Sequence, residues 1–519
     1  MVYHAELIKS RYAFITNLQL GFSPANRHDY AMSKSPIIVW FRQDLRLNDN
    51  AALYHATQQA QETGAPILPI YILDDENAGQ WALGGAARVW LHHSLHDLST
   101  NLDNALQIFH GKADDIIPEL IHKTRAQEIY WNRCYEPWRI TRDKAIKLTL
   151  ENQKINVKSF NSSLLWEPWD VLKDDGTPYK VFSPFYKKGC LIRSTPPRDP
   201  YPTPQNINFY TTCINDGKTI VDLSLLPNKP RWDIDMAAHW DISEQGALNR
   251  LNAFLDKGLN NYKDGRNEPA LDNVSRLSPY LRHGNISPHT VWHAAAQAGT
   301  AQNIERDRDH FLSELGWREF SYYLLYHFPD LTWKNLQPKF DNFPWETDDT
   351  NSDVENWQKG LTGYPIVDAG MRELYATGSM HNRVRMIVGS FLVKNMLTHW
   401  HIGEKWFWDT LVDADLASNS ASWQWIAGCG ADAAPYFRIF NPLLQSQKFD
   451  KDGDYIKKYV PELSKMPAKH IHAPWEAPNN VLEYAGVTLG KTYPKPMMGH
   501  SDARDRALQA FEKTKGCPS

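Results

Sequence analysis

Residues 36–50 read PIIVWFRQDLRLNDN. The run up to Phe41 is unbroken apolar sequence, β-branched and then aromatic, which suits a strand buried on both faces better than one with a solvated side. Outward from it, similar runs recur as ILPIYIL at 67–73, QEIYWN at 127–132 and INVKSF at 155–160, with longer amphipathic stretches between them. That rhythm predicts an α/β lobe over 36–165, a doubly wound, Rossmann-like parallel sheet with crossover helices. No GxGxxG follows the first run; WFRQDLRLNDN stands there instead, so this turn is not built to cradle a dinucleotide pyrophosphate.

Beyond the α/β lobe, residues 166–235 read as an interdomain linker, with TPPRDPYPTP at 195–204 dense in proline, which blocks helix continuation and central-strand pairing. From 236 to 485 helical spacing takes over, as in DHFLSELGWREFSYYLLYHF and MRELYATGSMHNRVRMIVGSFLVKNML, so the second lobe is expected to be all helix. Residues 486–519 read as a polar C-terminal tail, and 1–35 as an N-terminal extension, since MSKSPIIVWF from Met32 resembles a start.

The chain has 519 residues, enough for two or three domains. With 42% hydrophobic and 22% charged residues and a mean hydropathy of −0.54, neither disorder nor a membrane span is expected. Five widely spaced cysteines suggest no disulfide framework or zinc site, and point to a reducing, cytoplasmic setting. A net charge of −4 requires any nucleic-acid contact to be focal. Twenty tryptophans exceed what a core of this size needs, although most are expected to be packing residues.

Several segments carry chemistry. In FLSELGWREF, helical spacing puts Trp317, Arg318 and Ser321 on the face of Glu314, an arrangement that could hydrogen-bond a carbonyl-rich ligand or simply form a Glu314–Arg318 helix pair. SMHNRVRMIVGSF gathers His381, Arg383 and Arg385, a helix that could meet phosphates or be a solvated basic face; Met386 suits contact with a flat apolar ligand such as a base. In DADLASNSASWQWIAG, Asp413 and Asp415 precede Asn419, and Trp423 and Trp425, two apart on a helix, point to nearly opposite sides. With Trp400 and Trp345 upstream, an electron-hopping series is one reading and plain core packing the other. Neither Asp413-x-Asp415 nor HHSLH at 92–96 has the further ligands a metal needs, so no metal is expected. The absence of GxSxG, HExxH and a P-loop weighs against hydrolysis and phosphoryl transfer.

From about Ile37 to Asp450 these segments resemble the photolyase and cryptochrome family. WFRQDLRLNDN at 40–50, LLWEPWDVLKDDGTPYKVFSPF at 164–185, SRLSPYLRHGNISP at 275–288, SELGWREF at 313–320, GYPIVDAGMREL at 363–374 and WQWIAGCGADAAPYFRIFNP at 423–442 stand in family order. The resemblance is greatest to class I-type cyclobutane pyrimidine dimer photolyases. It implies a helical lobe holding FAD in a folded, U-shaped conformation. By position, Tyr262 and the run Val274, Ser275, Arg276, Leu277 and Ser278 match segments around the phosphates and ribityl chain. Phe311, Arg385, Asp413 and Asp415 match further FAD contacts, and Asn419 the residue beside the redox-active ring nitrogen.

Asn419 resembles the repair members, since light-sensing members tend to carry Asp or Cys there, and Met386 fits the dimer-repair branch. The resemblance implies base flipping of the dimer beside FAD, with Trp317 and Trp425 stacking on it and Glu314 hydrogen-bonding it. Arg266, Asn382, Arg383 and Gln445 match DNA contacts. After blue or near-ultraviolet excitation, reduced flavin would donate one electron, the ring would split, and the electron would return. Trp423, Trp400 and Trp345 match the chain that photoreduces oxidised flavin, with a short insertion just after Trp345.

The α/β lobe would hold an antenna, but at YEPWRITRD (135–143) Trp138 and Arg139 replace the Asn-Glu pair that often accompanies methenyltetrahydrofolate. A deazaflavin, a different folate pose or an empty site stay open. The expected partner is DNA containing cyclobutane dimers, bound by a monomer away from membranes. The alternatives are a (6-4) photolyase, a cryptochrome photoreceptor and a non-photochemical electron-transfer flavoprotein.

Overall fold

The computed structural model describes residues 34–433 and 437–514; the expected N-terminal extension and Cys517 lie outside them. The first lobe is a five-stranded parallel sheet of β1 (Ile37–Phe41), β2 (Ile67–Leu73), β3 (Gln107–His110), β4 (Glu128–Asn132) and β5 (Asn156–Phe160), in the order β3-β2-β1-β4-β5. Ile37 pairs with Ile67 on one side and Glu128 on the other. Every residue of β1 and β2 is buried, because helices α1 (Ala51–Thr63) and α2 (Gly85–Asn101) cover one face while α3 (Ala113–Thr124) and α4 (Pro137–Asn152) cover the other. Strand β3 escaped the sequence reading: it has four residues at the sheet edge and its last, His110, is exposed.

The segment read as a linker is pinned at both ends. Leu165 and Trp166 N–H groups donate to Glu319 Oε2, at 2.7 and 3.4 Å. Further on, Asn208 and Tyr210 pair with the backbone of Ile67 at the start of β2. Between them Pro184–Arg193 forms a wide-turned helix packed on the second lobe.

The second lobe is built of helices, among them α5 (Glu305–His327), α6 (Pro365–Thr377), α7 (Asn382–Ser390), α8 (Trp400–Thr410), α9 (Leu416–Ala427) and α10 (Pro442–Phe449). Local chemistry explains their ends: Asp415 caps α9 by accepting from Ser418 N–H at 2.8 Å, and Gly428 closes it at φ 93°. The expected tail contains a helix, α11 (His500–Thr514), that joins this core. Ala503, Ala507 and Ala510 let the otherwise polar helix approach closely, and Phe511 stacks on Phe437 at 4.6 Å.

Arg46 ties the lobes together. It is 2% exposed and its guanidinium donates to the carbonyls of Asn48, Asp49, Ser162 and Gly284. Gly284 has φ 77°, and a Cβ there would collide with the Gln43 carbonyl, so glycine is required on both counts. Among the described residues no helix is long and apolar enough to cross a membrane, and no group of three or more His, Cys, Asp or Glu could hold a metal ion.

Candidate active site

Two clusters meet in the helical lobe. The first surrounds Asp413. Its Oδ2 accepts from Ser278 Oγ at 2.6 Å and from Arg385 at 2.9 Å, while Oδ1, buried, has no donor among the described residues. Such an orphan acceptor calls for a ligand N–H. Asp415, one residue beyond Ala414, is spent on the cap of α9. The 274–278 run is held from behind by Arg250, which donates to the carbonyls of Val274 and Ser275 at 2.8 Å each. Arg276 stands at φ 51°, Leu277 is buried, and Ser275 Oγ accepts from Leu277 N–H at 3.4 Å. Tyr262 is buried edge-on to Phe311, with ring centroids 5.4 Å apart. Arg250 was not singled out in the sequence, because its role depends on a loop some 25 residues away.

Asn419 lies in the same wall of α9. Its Nδ2 donates to the Glu404 carbonyl at 3.0 Å, which turns the amide oxygen away from Glu404 and leaves it to offer as an acceptor. Asp413 Oδ1 and this amide oxygen are the acceptors that the N–H groups of a flavin ring require, and Ser275, Ser278 and Arg276 supply hydroxyls and charge suited to its polar chain. The residues present therefore fit FAD.

Glu404 itself is 1% exposed, and the Ser420 hydroxyl contacts its Oε1. Burial pushes its carboxyl up to about 8, so it is neutral at pH 7. Because the folded value lies above the ordinary 4.5, the folded chain holds the extra proton, and stability falls as pH rises through the window from 4.5 to about 8. Glu404→Gln should remove about 1.4 kcal/mol per pH unit of that slope. Urea midpoints of both proteins at several pH values across the window check it; parallel slopes would count against a neutral Glu404.

The second cluster surrounds Glu314. Its carboxylate forms a forked pair with Arg266, Oε2 lying 2.8 Å from one guanidinium nitrogen. The helix pair with Arg318 is not formed, since Arg318 bonds Glu319 at 2.9 Å. Arg383 donates to Asn267 Oδ1 at 2.5 Å, touches Met386 Sδ at 3.5 Å and lies 4.5 Å from the centroid of the Phe449 ring. Arg266 also contacts His310 at 3.2 Å. Asn267, His310 and Phe449 were not read from the sequence, since each joins only through tertiary contact. Asn382 is exposed at the start of α7 and Gln445 half-buried on α10; among the described residues neither side chain hydrogen-bonds into the cluster.

His381 separates the clusters. Burial first, then the guanidiniums of Arg266, Arg276, Arg383 and Arg385, push it down to about 3. Four arginines therefore converge on a neutral ring, a local concentration of positive charge in a chain of net charge −4.

Trp423, Trp400 and Trp345 lie on or beside α8. Trp423 is buried against α8, where a Cβ at Gly403 would overlap its indole, and its ring lies 5.0 Å from Phe407 and 6.4 Å from Trp357. Trp400 is one turn before Gly403, so it shares that helix face. Its Nε1 donates to Asn335 Oδ1 at 3.0 Å. His399 then bridges Trp400 and Trp345, at 5.7 Å from each. Trp425 points elsewhere, its Nε1 donating to the Asp432 carbonyl at 3.2 Å.

Two family models match: the one described as DNA photolyase covers residues 37–205, and the one described as the FAD binding domain of DNA photolyase covers 311–513. The chain belongs to the DNA photolyase and cryptochrome family. It is 48% identical to a deoxyribodipyrimidine photo-lyase of Agrobacterium fabrum, over 93% of this chain and 99% of that one. It is 35% identical to cryptochrome-1 of Arabidopsis thaliana over 92% of this chain and 70% of the plant protein. The crystal structure of a bacterial class III photolyase from Agrobacterium tumefaciens superposes with a TM-score of 0.87 at 47% identity, covering 93% of this chain and 98% of the other. That relative is a class III enzyme, whereas the motifs of this sequence resemble class I-type members most.

Proposed function

We propose that the protein is a light-driven deoxyribodipyrimidine photo-lyase that splits cyclobutane pyrimidine dimers in DNA. The observation that carries this reading is the pairing of two different clusters: an acceptor-rich wall suited to FAD at Asp413 and Asn419, beside an apolar and cationic patch of Glu314, Arg266, Arg383 and Met386. Reduced FAD, when bound, supplies the electron that light makes available. The chain's own residues do the rest. Arg266 and Arg383 draw the backbone phosphates, the indoles of Trp317 and Trp425 stack on extruded bases, and Glu314 hydrogen-bonds the lesion. Asn382 and Gln445 flank the patch as further DNA contacts.

Glu314→Ala should lower repair per absorbed photon by roughly tenfold, with FAD content unchanged because Glu314 bonds Arg266 and not the Asp413 wall. A yield equal to wild type would remove Glu314 from the reaction. The (6-4) alternative needs a histidine acid, and a ring held at about 3 is not protonated at working pH.

A second chromophore would fall at the C-terminal ends of β1 and β2, where Trp40, Arg42, Glu136, Trp138, Arg139 and Arg282 line a cavity of about 30 Å³. Trp40 Nε1, Arg42 Nε and Glu136 Oε2 are buried there without hydrogen-bond partners, which favours a polar occupant. That is far below the roughly 300–1,000 Å³ of usual cofactor sites, so a folate or deazaflavin would require lining side chains to move, among them Trp138 with the Arg139 guanidinium stacked on it at 4.4 Å.

The test is to incubate the reduced protein with an oligonucleotide carrying one thymine cyclobutane dimer and compare restored thymines after blue light and after darkness. Restoration in light alone is expected. No restoration with FAD bound and reduced would overturn the repair reading in favour of light signalling, as the likeness to cryptochrome-1 allows.

A further inference from the structure

Trp317 is not free on both faces. Phe182, from the segment between the lobes, lies parallel to it with centroids 3.7 Å apart and planes 11° from coplanar. Tyr186 also lies parallel to Phe182, at 5.5 Å and 9°. Tyr186 in turn rests on Gly316, where a Cβ would come within 2.5 Å of its ring. Three near-parallel rings thus join the connecting segment to α5.

The same segment also reaches Trp425 through Asp432. Asp432, in the turn after α9 with φ 52°, accepts through its carbonyl from Trp425 Nε1 at 3.2 Å and through Oδ2 from Phe182 N–H at 3.4 Å. Phe182 therefore touches both supports: its ring backs Trp317, and its N–H meets the residue that anchors Trp425. Stacking depends steeply on separation, since a gap of 0.5–1 Å forfeits roughly a quarter to a half of the dispersion between facing atoms.

We propose that Phe182 is a positioning residue for the lesion: through its stack on Trp317 and its bond to Asp432 it sets the gap between the two indoles, and so favours a covalently linked pyrimidine pair over two ordinary bases. The proposal rests on the repair reading above. Among the described residues Phe182 makes its hydrogen bond and ring contacts with Asp432, Trp317, Tyr186 and Phe320 and not with Asp413, Ser278 or Asn419, so FAD retention should not depend on it.

The experiment measures binding in the dark, at one salt concentration, of the FAD-loaded full chain to a duplex with one thymine dimer and to the same duplex undamaged. Phe182→Leu keeps apolar volume and removes the stacking plane; it should lose roughly tenfold in affinity for the dimer duplex, with undamaged-duplex affinity within about twofold and FAD content unchanged. Phe182→Tyr restores the plane and should return dimer affinity to within about twofold of wild type. Asp432→Gly keeps the carbonyl and the left-handed turn while deleting the carboxylate, and should lose about threefold. Equal weakening for both duplexes, a Tyr variant as poor as the Leu variant, or wild-type dimer affinity in the Leu variant would each overturn the proposal. If Phe182→Leu fails to fold, an Asp432→Gly protein with unchanged discrimination overturns it instead. A wild-type protein with no preference for the dimer duplex overturns the repair reading itself.

Discussion

Trp423→Phe leaves a protein that binds FAD and repairs dimers once its flavin is chemically reduced, but that no longer reduces oxidised flavin in light at more than roughly a tenth of the wild-type rate. A benzene ring resists one-electron oxidation far more than an indole does, and we propose Trp423 as the first member of the path. Its ring lies against α8 at Gly403, one turn from Trp400, and the path continues through His399 to the half-exposed Trp345. The measurement is flavin absorbance under blue light with an external thiol, beside repair by dithionite-reduced enzyme. Unchanged photoreduction would sink the assignment, and lost repair with pre-reduced flavin would sink the separation of the two roles. Gly403→Ala tests the same path from the other side. Its methyl group must displace the indole, so photoreduction should fall although every tryptophan remains.

Arg46→Met should cost roughly 3–5 kcal/mol. The Met side chain fills the space but strands the carbonyls of Ser162 and Gly284 and removes one cation from beside buried Asp44 and Asp49, of which Asp49 keeps its ion pair with Arg198. Since Gly284 belongs to the helical lobe and Ser162 to the end of the α/β lobe, the loss falls on the junction between them. The expected result is flavin release several degrees below the wild-type temperature, and little rescue by Arg46→Lys, whose single ammonium cannot reach the same carbonyls. Release within a degree of wild type would show that the junction does not depend on this residue.

Four of the five strands were legible: helices cover both sheet faces, so β1 and β2 show as continuous apolar runs, while β4 and the edge strand β5 show as short runs with β-branched or aromatic residues. Strand β3 and helix α11 were not: one is a short edge strand, and the other buries only small alanines beneath a polar exterior. Within the site, neighbours on one helix could be read from spacing, as Glu314 with Trp317 and Trp423 with Trp425. Family resemblance added the flavin contacts, on motifs whose order runs through both lobes.

Partners distant in the chain could not be read. Glu314 pairs with Arg266 and not with the Arg318 that helical spacing offers, and Phe182 stacks on a tryptophan 135 residues away in number. The sequence by itself determined the two-lobe architecture and the residue types at each site position, since local propensity and burial pattern are written along the chain. Only the tertiary structure decided the charge states of His381 and Glu404, the direction of the Asn419 amide and the support behind Trp317. Each depends on which groups surround it and how much water is excluded, and both are set only when distant segments pack.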